Sequence, residues 1–340
     1  HGRRTAGWAA SGRGRQVMDG REELVLRLAA KRRAKLGLSD SGYAELLLAV
    51  REDPERFVED GSDEAFAVVA RAVVALDEAR EGDDLLDDGE FFSQRAKRME
   101  RLRTQCRRAL ALDAGCTEAQ LLLALAQDLD PDPLLDELLQ IDRDATGRLG
   151  PVPQAAGADA WSDVFARGRL RVKAAIARTC LDSARYRMAD SVARQVTGAT
   201  HADPLGARHT SALALARLED ESALDALEAS FGRRGDSWTQ LARLVLFYKL
   251  GRMGAARRAL KGLDTLCEGG VYALLRPVMV DTYLPDRPAA TPYSFEEVTL
   301  AVHEADPIVV DVPDLVTWVQ DQPDMLQSAR TFADNSGLEW

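Results

Sequence analysis

Two central histidines, His201 and His209, stand eight residues apart, and a third, His303, lies in the run VHEAD at 302–306. Imidazoles hold zinc when three or four donors converge on one point, and this pair has no third ligand at metal spacing. VHEAD departs from the zinc-protease pattern HExxH because Pro307 occupies the place of its second histidine. The nearest approach to a hydrolytic constellation is the trio Glu296, His303 and Asp306, which would supply acid–base chemistry if one cleft gathered it. The adjacent pair Glu296–Glu297 reads first as helix capping, and RGD at 234–236 as a loop before a helix. Neither the nucleophile motif GxSxG nor the phosphate motifs GxxxxGK[ST] and GxGxxG occurs. Cys106, Cys116, Cys180 and Cys267 form no CxxC pair and sit among apolar neighbours, as reduced packing residues of a cytoplasmic protein do. The expectation is a chain with no catalytic residue, no metal and no cofactor.

The surrounding sequence is that of a helical assembly. At 340 residues the chain exceeds one ordinary domain, so two domains or one elongated repeat body is expected. It is 46% hydrophobic, 6% aromatic and 29% charged, the mix of long helical proteins rather than sandwiches or disordered chains. Apolar runs such as LLLALA at 121–126 are far short of the ~20 residues that cross a bilayer, so no membrane partner is expected. Residues 1–17 lack helical periodicity and precede Met18; they read as a non-native or over-extended leader, with the native start expected at Met18. Arginine outnumbers lysine 38 to 6, the usage of a GC-rich bacterial coding sequence.

Internal repetition organises the rest. In GRMGAARRALKGL the small residue Ala256 is followed at +4 by Leu260 and at +7 by Leu263. Ala223, with Leu227 and Ser230, repeats that pattern 33 residues earlier, and Ala189, with Ala193 and Val196, a further 34 earlier. Such a period marks a stacked array in which each unit is one supersecondary motif. Before the last turn, Trp238, Leu241, Ala242 and Val245 follow the pattern W-x2-L-G-x2-Y, with Ala for Gly and Val for Tyr. Ala109, Leu110, Leu112 and Asp113 look like the end of another unit, and Ala119, Leu123 and Ala124 like the start of the next. On these residues the stretch from Phe92 to Gly270 resembles the tetratricopeptide-repeat (TPR) family.

That resemblance implies an all-α, TPR-like solenoid of about five helical hairpins with helical caps at both ends. The expected organisation is a leader (1–17), an N-terminal helical region (18–91), repeats (92–270, with a break at 147–160) and an acidic C-terminal capping region (271–340). Local signals fit those boundaries. TEAQ at 117–120, SWTQ at 237–240 and SFEE at 294–297 read as capping boxes that start helices. DLDPDP at 128–133 and THADP at 200–204 end one helix and set up another. DPIVVDVP at 306–313 reads as the chain's one β-like run.

The resemblance also implies a non-catalytic scaffold whose inner groove, made by the first helix of each hairpin, holds a protein or peptide. Candidate groove residues are Trp238, Arg243, Tyr248 and Lys249 on one first helix, and Arg169, Arg171 and Lys173 on another. The partner class follows from charge. Residues 232–262 carry 8 basic and 1 acidic side chains, whereas the 77 residues from Asp264 carry 14 acidic and 3 basic. An acidic partner suits such a groove, and the acidic tail is expected to fold back over it, meeting Arg243 and Lys249. The net charge of −11 disfavours nucleic acid. One alternative remains for DNA: RRAKLGLSDSGYAELL at 32–47 breaks at Gly37 as a helix-turn-helix does. A helix C-cap at Gly37 is the simpler reading, because the second helix would face phosphates with acidic residues.

Overall fold

The computed structural model describes residues 18–83, 86–152, 159–281 and 283–340. Those residues are all-α, with sixteen α-helices and no β-strand. The leader at 1–17 and the centre of the expected break, 153–158, lie outside the described residues.

Helix α1 (Gly20–Leu36) begins where the Asp19 carboxylate accepts from the Glu22 N–H, and ends at Gly37, whose φ of 61° needs a residue without Cβ strain. The front half continues with α2 (Asp40–Glu52), α3 (Gly61–Glu78), α4 (Asp88–Leu112), α5 (Thr117–Leu125) and α6 (Pro131–Leu149). The rear half holds α7 (Arg167–Asp182), α8 (Tyr186–Ala199), α9 (Ala207–Arg217), α10 (Glu221–Ser230), α11 (Ser237–Lys249) and α12 (Met253–Leu266). From α1 to α12 each odd-numbered helix packs on the even-numbered helix that follows it, and the odd-numbered helices also touch one another in series. Helix α6 packs on α7, so the two halves meet across the break.

The turns inside the rear hairpins repeat in detail. Each contains one residue in the left-handed region: Ala184 (φ 59°), Glu219 (φ 62°) and Gly251 (φ 68°). In each, the next residue donates its N–H to the carbonyl five positions back: Arg185 to Cys180, Asp220 to Leu215 and Arg252 to Phe247. This Schellman closure satisfies carbonyls that the helix end would leave bare. The repeat residues Ala189, Ala193 and Val196 on α8 and Ala256, Leu260 and Leu263 on α12 are buried, whereas on α10 the buried residue is Leu224, one position after Ala223, and Ser230 is exposed.

Beyond α12 come α13 (Gly270–Leu275), the stretch 276–294, whose described residues form no helix, and helices α14 (Phe295–Val310), α15 (Asp314–Gln320) and α16 (Pro323–Ser336). Helix α14 packs on α11, α9 and α13; α13 and α16 lie beside α12, and α15 packs on α13 and α16. Buried apolar side chains from Met18 to Ala333 form one core. In α14, Val298, Leu300, Ala301, Ala305 and Ile308 have no solvent exposure, and burying each large aliphatic chain contributes about 1.5–3 kcal/mol. The C-terminal region is therefore built into the core.

Three expectations require correction. The run 306–313 is not β-like: its first half completes α14, because Val298, Ala301, Ala305, Ile308 and Val312 recur at helical spacing and bury one face even with Pro307 inside. Thr117 and Ser237 do not cap their helices. Cys116 precedes α5 without a side-chain cap, and Asp236 caps α11 by accepting from the Thr239 N–H. The first half of the SFEE reading holds, with Ser294 accepting from the Glu297 N–H, while the Glu297 side chain accepts from the Tyr293 N–H instead of reaching back to Ser294.

Candidate binding site

The stretch 276–294 is held to the helices through arginine–carboxylate contacts, from the α3–α4 hairpin and from α7. Arg95 donates to Asp281 at 2.6 Å and Arg80 at 3.3 Å. On α7, Arg171 grips both Glu23 oxygens at 2.8 Å through its two Nη atoms, and its Nε reaches Asp286 at 2.9 Å. The Arg171 side chain is 0% exposed, and the carboxylates are almost as deeply buried. Burial would raise the Glu23 carboxyl, but Arg171, with Arg27 and Arg167 beyond it, holds it below its ordinary range. Burial dominates at Asp286 and keeps that carboxyl above the ordinary range.

A second buried knot ties the same stretch to α9, α11 and α14. Arg287 donates from Nε to Glu304 at 2.7 Å, and from Nη1 to the backbone oxygens of Leu205 and Gly206. Gly206 has a φ of 62°, and a Cβ there would collide with Arg287 Nη1. The other Glu304 oxygen accepts from Trp238 Nε1 at 2.7 Å, and Tyr283 donates its hydroxyl to the same carboxylate. Burial would lift the Glu304 carboxyl, yet Arg287 and these hydrogen bonds hold it low. His209 stacks on Trp238 with 3.9 Å between ring centroids. Its pKa lies well below the ordinary value, first because of burial and then because of Arg287 and Arg208.

The seven predicted groove residues fall into two groups. Arg169, Arg171 and Trp238 are buried, and Arg169 donates to the Gly150 carbonyl at 2.7 Å. The other four lie nearer solvent with partners from the same chain. Lys173 meets Asp142 at 3.2 Å, Lys249 meets Glu219 at 3.2 Å, and Arg243 meets Glu228 and Asp225 at 2.9 Å. The Tyr248 ring lies 5.2 Å from that of Trp318 on α15. Arg243 and Lys249 thus pair with α10 and its preceding turn, while the tail is held by Arg171, Arg287, Arg80, Arg95 and Arg217. Arg287 and Glu304 were not legible as a site; the one hint is an isolated arginine in a strongly acidic region.

Among the described residues, two clefts hold the predicted histidines. One, of about 330 Å³, brings His303 and Asp306 together with Arg178, Asp182, Tyr283 and Glu304. Asp182 reaches the cleft's water, yet the surrounding protein, then Glu304 and Asp306, push its carboxyl up to about 6. Glu296 does not line this cleft; it sits seven residues before His303, roughly 10 Å along α14. The hydrolytic trio is therefore not gathered. The other cleft, of about 380 Å³, lies among α9, α10, α11 and the loop at 231–236, and contains both His201 and His209. No group of three or more metal-ligating side chains is placed to hold an ion among the described residues. Among those residues, too, no helix is long and apolar enough to cross a membrane. The basic end of α1 does not stand free: Lys31 pairs with Asp60 and Asp63, Arg32 and Lys35 with Glu59, and Arg33 with Asp40. Compared with known proteins, the chain matches no family model, no curated protein and no solved structure.

Proposed function

We propose that the chain is a non-catalytic, TPR-like α-solenoid that acts in the cytoplasm as a scaffold for a protein or peptide partner. The observation that carries this reading is the threefold repetition of one turn, at Ala184, Glu219 and Gly251, in hairpins whose first helices α7, α9 and α11 touch in series. Stacked helical hairpins offer an extended face for holding a chain segment. On that face Arg171 of α7 grips the stretch 276–294 in cis at Asp286, and Arg95 of α4 grips it at Asp281, so the chemistry suits carboxylate-bearing peptides. Arg243 and Lys249 pair with surface carboxylates, where a partner's carboxylates can compete.

A random-peptide display selection against the full-length chain tests this reading. The expected result is a pool enriched in Asp and Glu over its input, whose members compete with one another for the protein. Recovery equal to that from an uncoated surface would overturn it.

A further inference from the structure

The cleft beside the 231–236 loop is lined by three arginines, Arg208, Arg233 and Arg234, and two carboxylates, Glu228 and Asp236. Arg233 and Arg234 are exposed and make no side-chain hydrogen bond or ion pair among the described residues. Arg208 lies over the Phe231 ring at 5.1 Å, and stands 3.7 Å from Asp236 and 3.9 Å from Asp203, longer than a good ion pair. The acidic groups in the lining are already engaged. Glu228 is held by Arg243, and Asp236 is buried and caps α11. What the cleft presents to a ligand is positive, above an apolar floor of Ala212, Leu227 and Phe231.

The arginine loop is also fixed from behind. Gly232, Arg233 and Gly235 all have positive φ, between 50° and 70°. The Tyr293 hydroxyl donates to the Arg234 carbonyl at 3.2 Å, and a Cβ on Gly235 would come within 2.8 Å of that hydroxyl. Glu297 accepts from the Ser237 N–H at 3.0 Å and from its hydroxyl at 2.7 Å. Tyr293 of the 276–294 stretch and Glu297 of α14 therefore position this loop.

We propose that this cleft is the docking site for an acidic peptide segment of the partner, with carboxylates on Arg233, Arg234 and Arg208 and one apolar side chain over Leu227 and Phe231. The inference rests on the scaffold reading and places its partner contact. Charge complementarity selects the occupant: a net charge of −11 repels an extended polyanion such as nucleic acid, whereas a short acidic segment meets only the local field. The apolar floor favours a peptide over a bare inorganic anion.

The test uses the full-length chain and the fluorescent pentapeptide Asp-Asp-Leu-Asp-Asp, with Asn-Asn-Leu-Asn-Asn as its neutral counterpart, followed by polarisation. The Asp peptide should bind roughly tenfold more tightly than the Asn peptide and lose most of that advantage in high salt. The double variant Arg233→Gln, Arg234→Gln should erase the difference while keeping the parental circular dichroism. Tyr293→Phe should weaken binding about threefold, and that loss should vanish once Arg234 is Gln, since the positioning hydroxyl then has nothing to position. Equal affinity for the two peptides, or undiminished Asp-peptide binding by the double variant, would overturn the proposal. So would displacement of the peptide by an oligothymidylate at lower concentration than unlabelled Asp peptide. Selected acidic peptides that bind the double variant normally would sink the cleft and leave the scaffold standing; an empty selection would sink the scaffold itself.

Discussion

Arg171 and the pair Arg233–Arg234 put the same side chain to opposite uses. Arg171 is fully enclosed, with Glu23 and Asp286 filling its donors, so α1, α7 and the 276–294 stretch meet at one guanidinium. Arg233 and Arg234 stand exposed, and the protein holds this part of the loop by the Arg234 carbonyl rather than by either guanidinium. Taking an arginine out of water is costly, and only well-oriented carboxylates offset the cost. A guanidinium left in water has spent nothing on an internal partner and can exchange water for a ligand's carboxylate. Charge counted along the sequence cannot tell these two states apart, although one closes the fold and the other remains open to a ligand.

The largest effect should come from breaking the buried site. Arg171→Met leaves Glu23 and Asp286 without their shared cation, and stability should fall by about 3–5 kcal/mol in urea denaturation. Replacing all three by apolar residues of similar volume, as in Glu23→Leu, Arg171→Met, Asp286→Leu, should recover most of that loss. A single variant within about 1 kcal/mol of the parent would mean that Arg171 closes nothing.

Much of the framework was legible because it depends on local spacing. The run Ala256, Leu260, Leu263 and its counterpart Ala189, Ala193, Val196 place buried residues on one helical face, and helices α8 and α12 bury them. Gly37 was legible as a C-cap for the same reason. The sequence signals at Thr117 and Ser237 place each helix start one residue late, and at Ser237 the hydroxyl serves a tertiary contact instead of a cap. Ser237 donates to Glu297, sixty residues away. The charge pattern misled in a similar way. Arg243 and Lys249 face an acidic tail in composition, but Glu228, Asp225 and Glu219 neutralise them from the neighbouring hairpin. The Trp238–Glu304–Arg287 knot joins positions 17 and 66 residues apart, a separation that no periodicity encodes.

An intermediate effect concerns His209, which sits between the buried knot and the open cleft. Its ring is held neutral by burial first, then by Arg287 and Arg208, although the Asp236 carboxylate lies 3.4 Å from Nδ1. Because the folded-state pKa is depressed, the unfolded chain takes up a proton below about pH 6.5 and the folded chain does not. Stability should therefore fall as pH drops through 6.5, with a contribution of up to about 1.4 kcal/mol per pH unit from this one group. His209→Gln should lose less stability between pH 7 and 5.5 than the parent, as read by urea midpoints at each pH. Parallel losses in the two proteins would show that the folded ring accepts a proton, and that the knot tolerates a third cation beside Arg287 and Arg208.

The smallest effect is the one that makes the comparison sharp. Arg233→Gln, Arg234→Gln removes as much positive charge as two copies of Arg171→Met, yet it should change stability by no more than about 0.5 kcal/mol, the usual range for surface positions away from special contacts. The reason is geometric. Neither side chain loses an internal partner, Gln keeps the chain length near Cβ, and the Tyr293 hydroxyl still reaches the Arg234 position through the backbone carbonyl. The nearby acids stay satisfied, with Glu228 on Arg243 and Asp236 on the Thr239 N–H. Thermal melts of the parent and the double variant should therefore overlay, while binding of the acidic pentapeptide separates them. A loss above about 1 kcal/mol would place these two arginines with Arg171, as members of the fold's own ion-pair framework. The cleft would then present no spare cation, and the contrast between closing and open arginines would be lost.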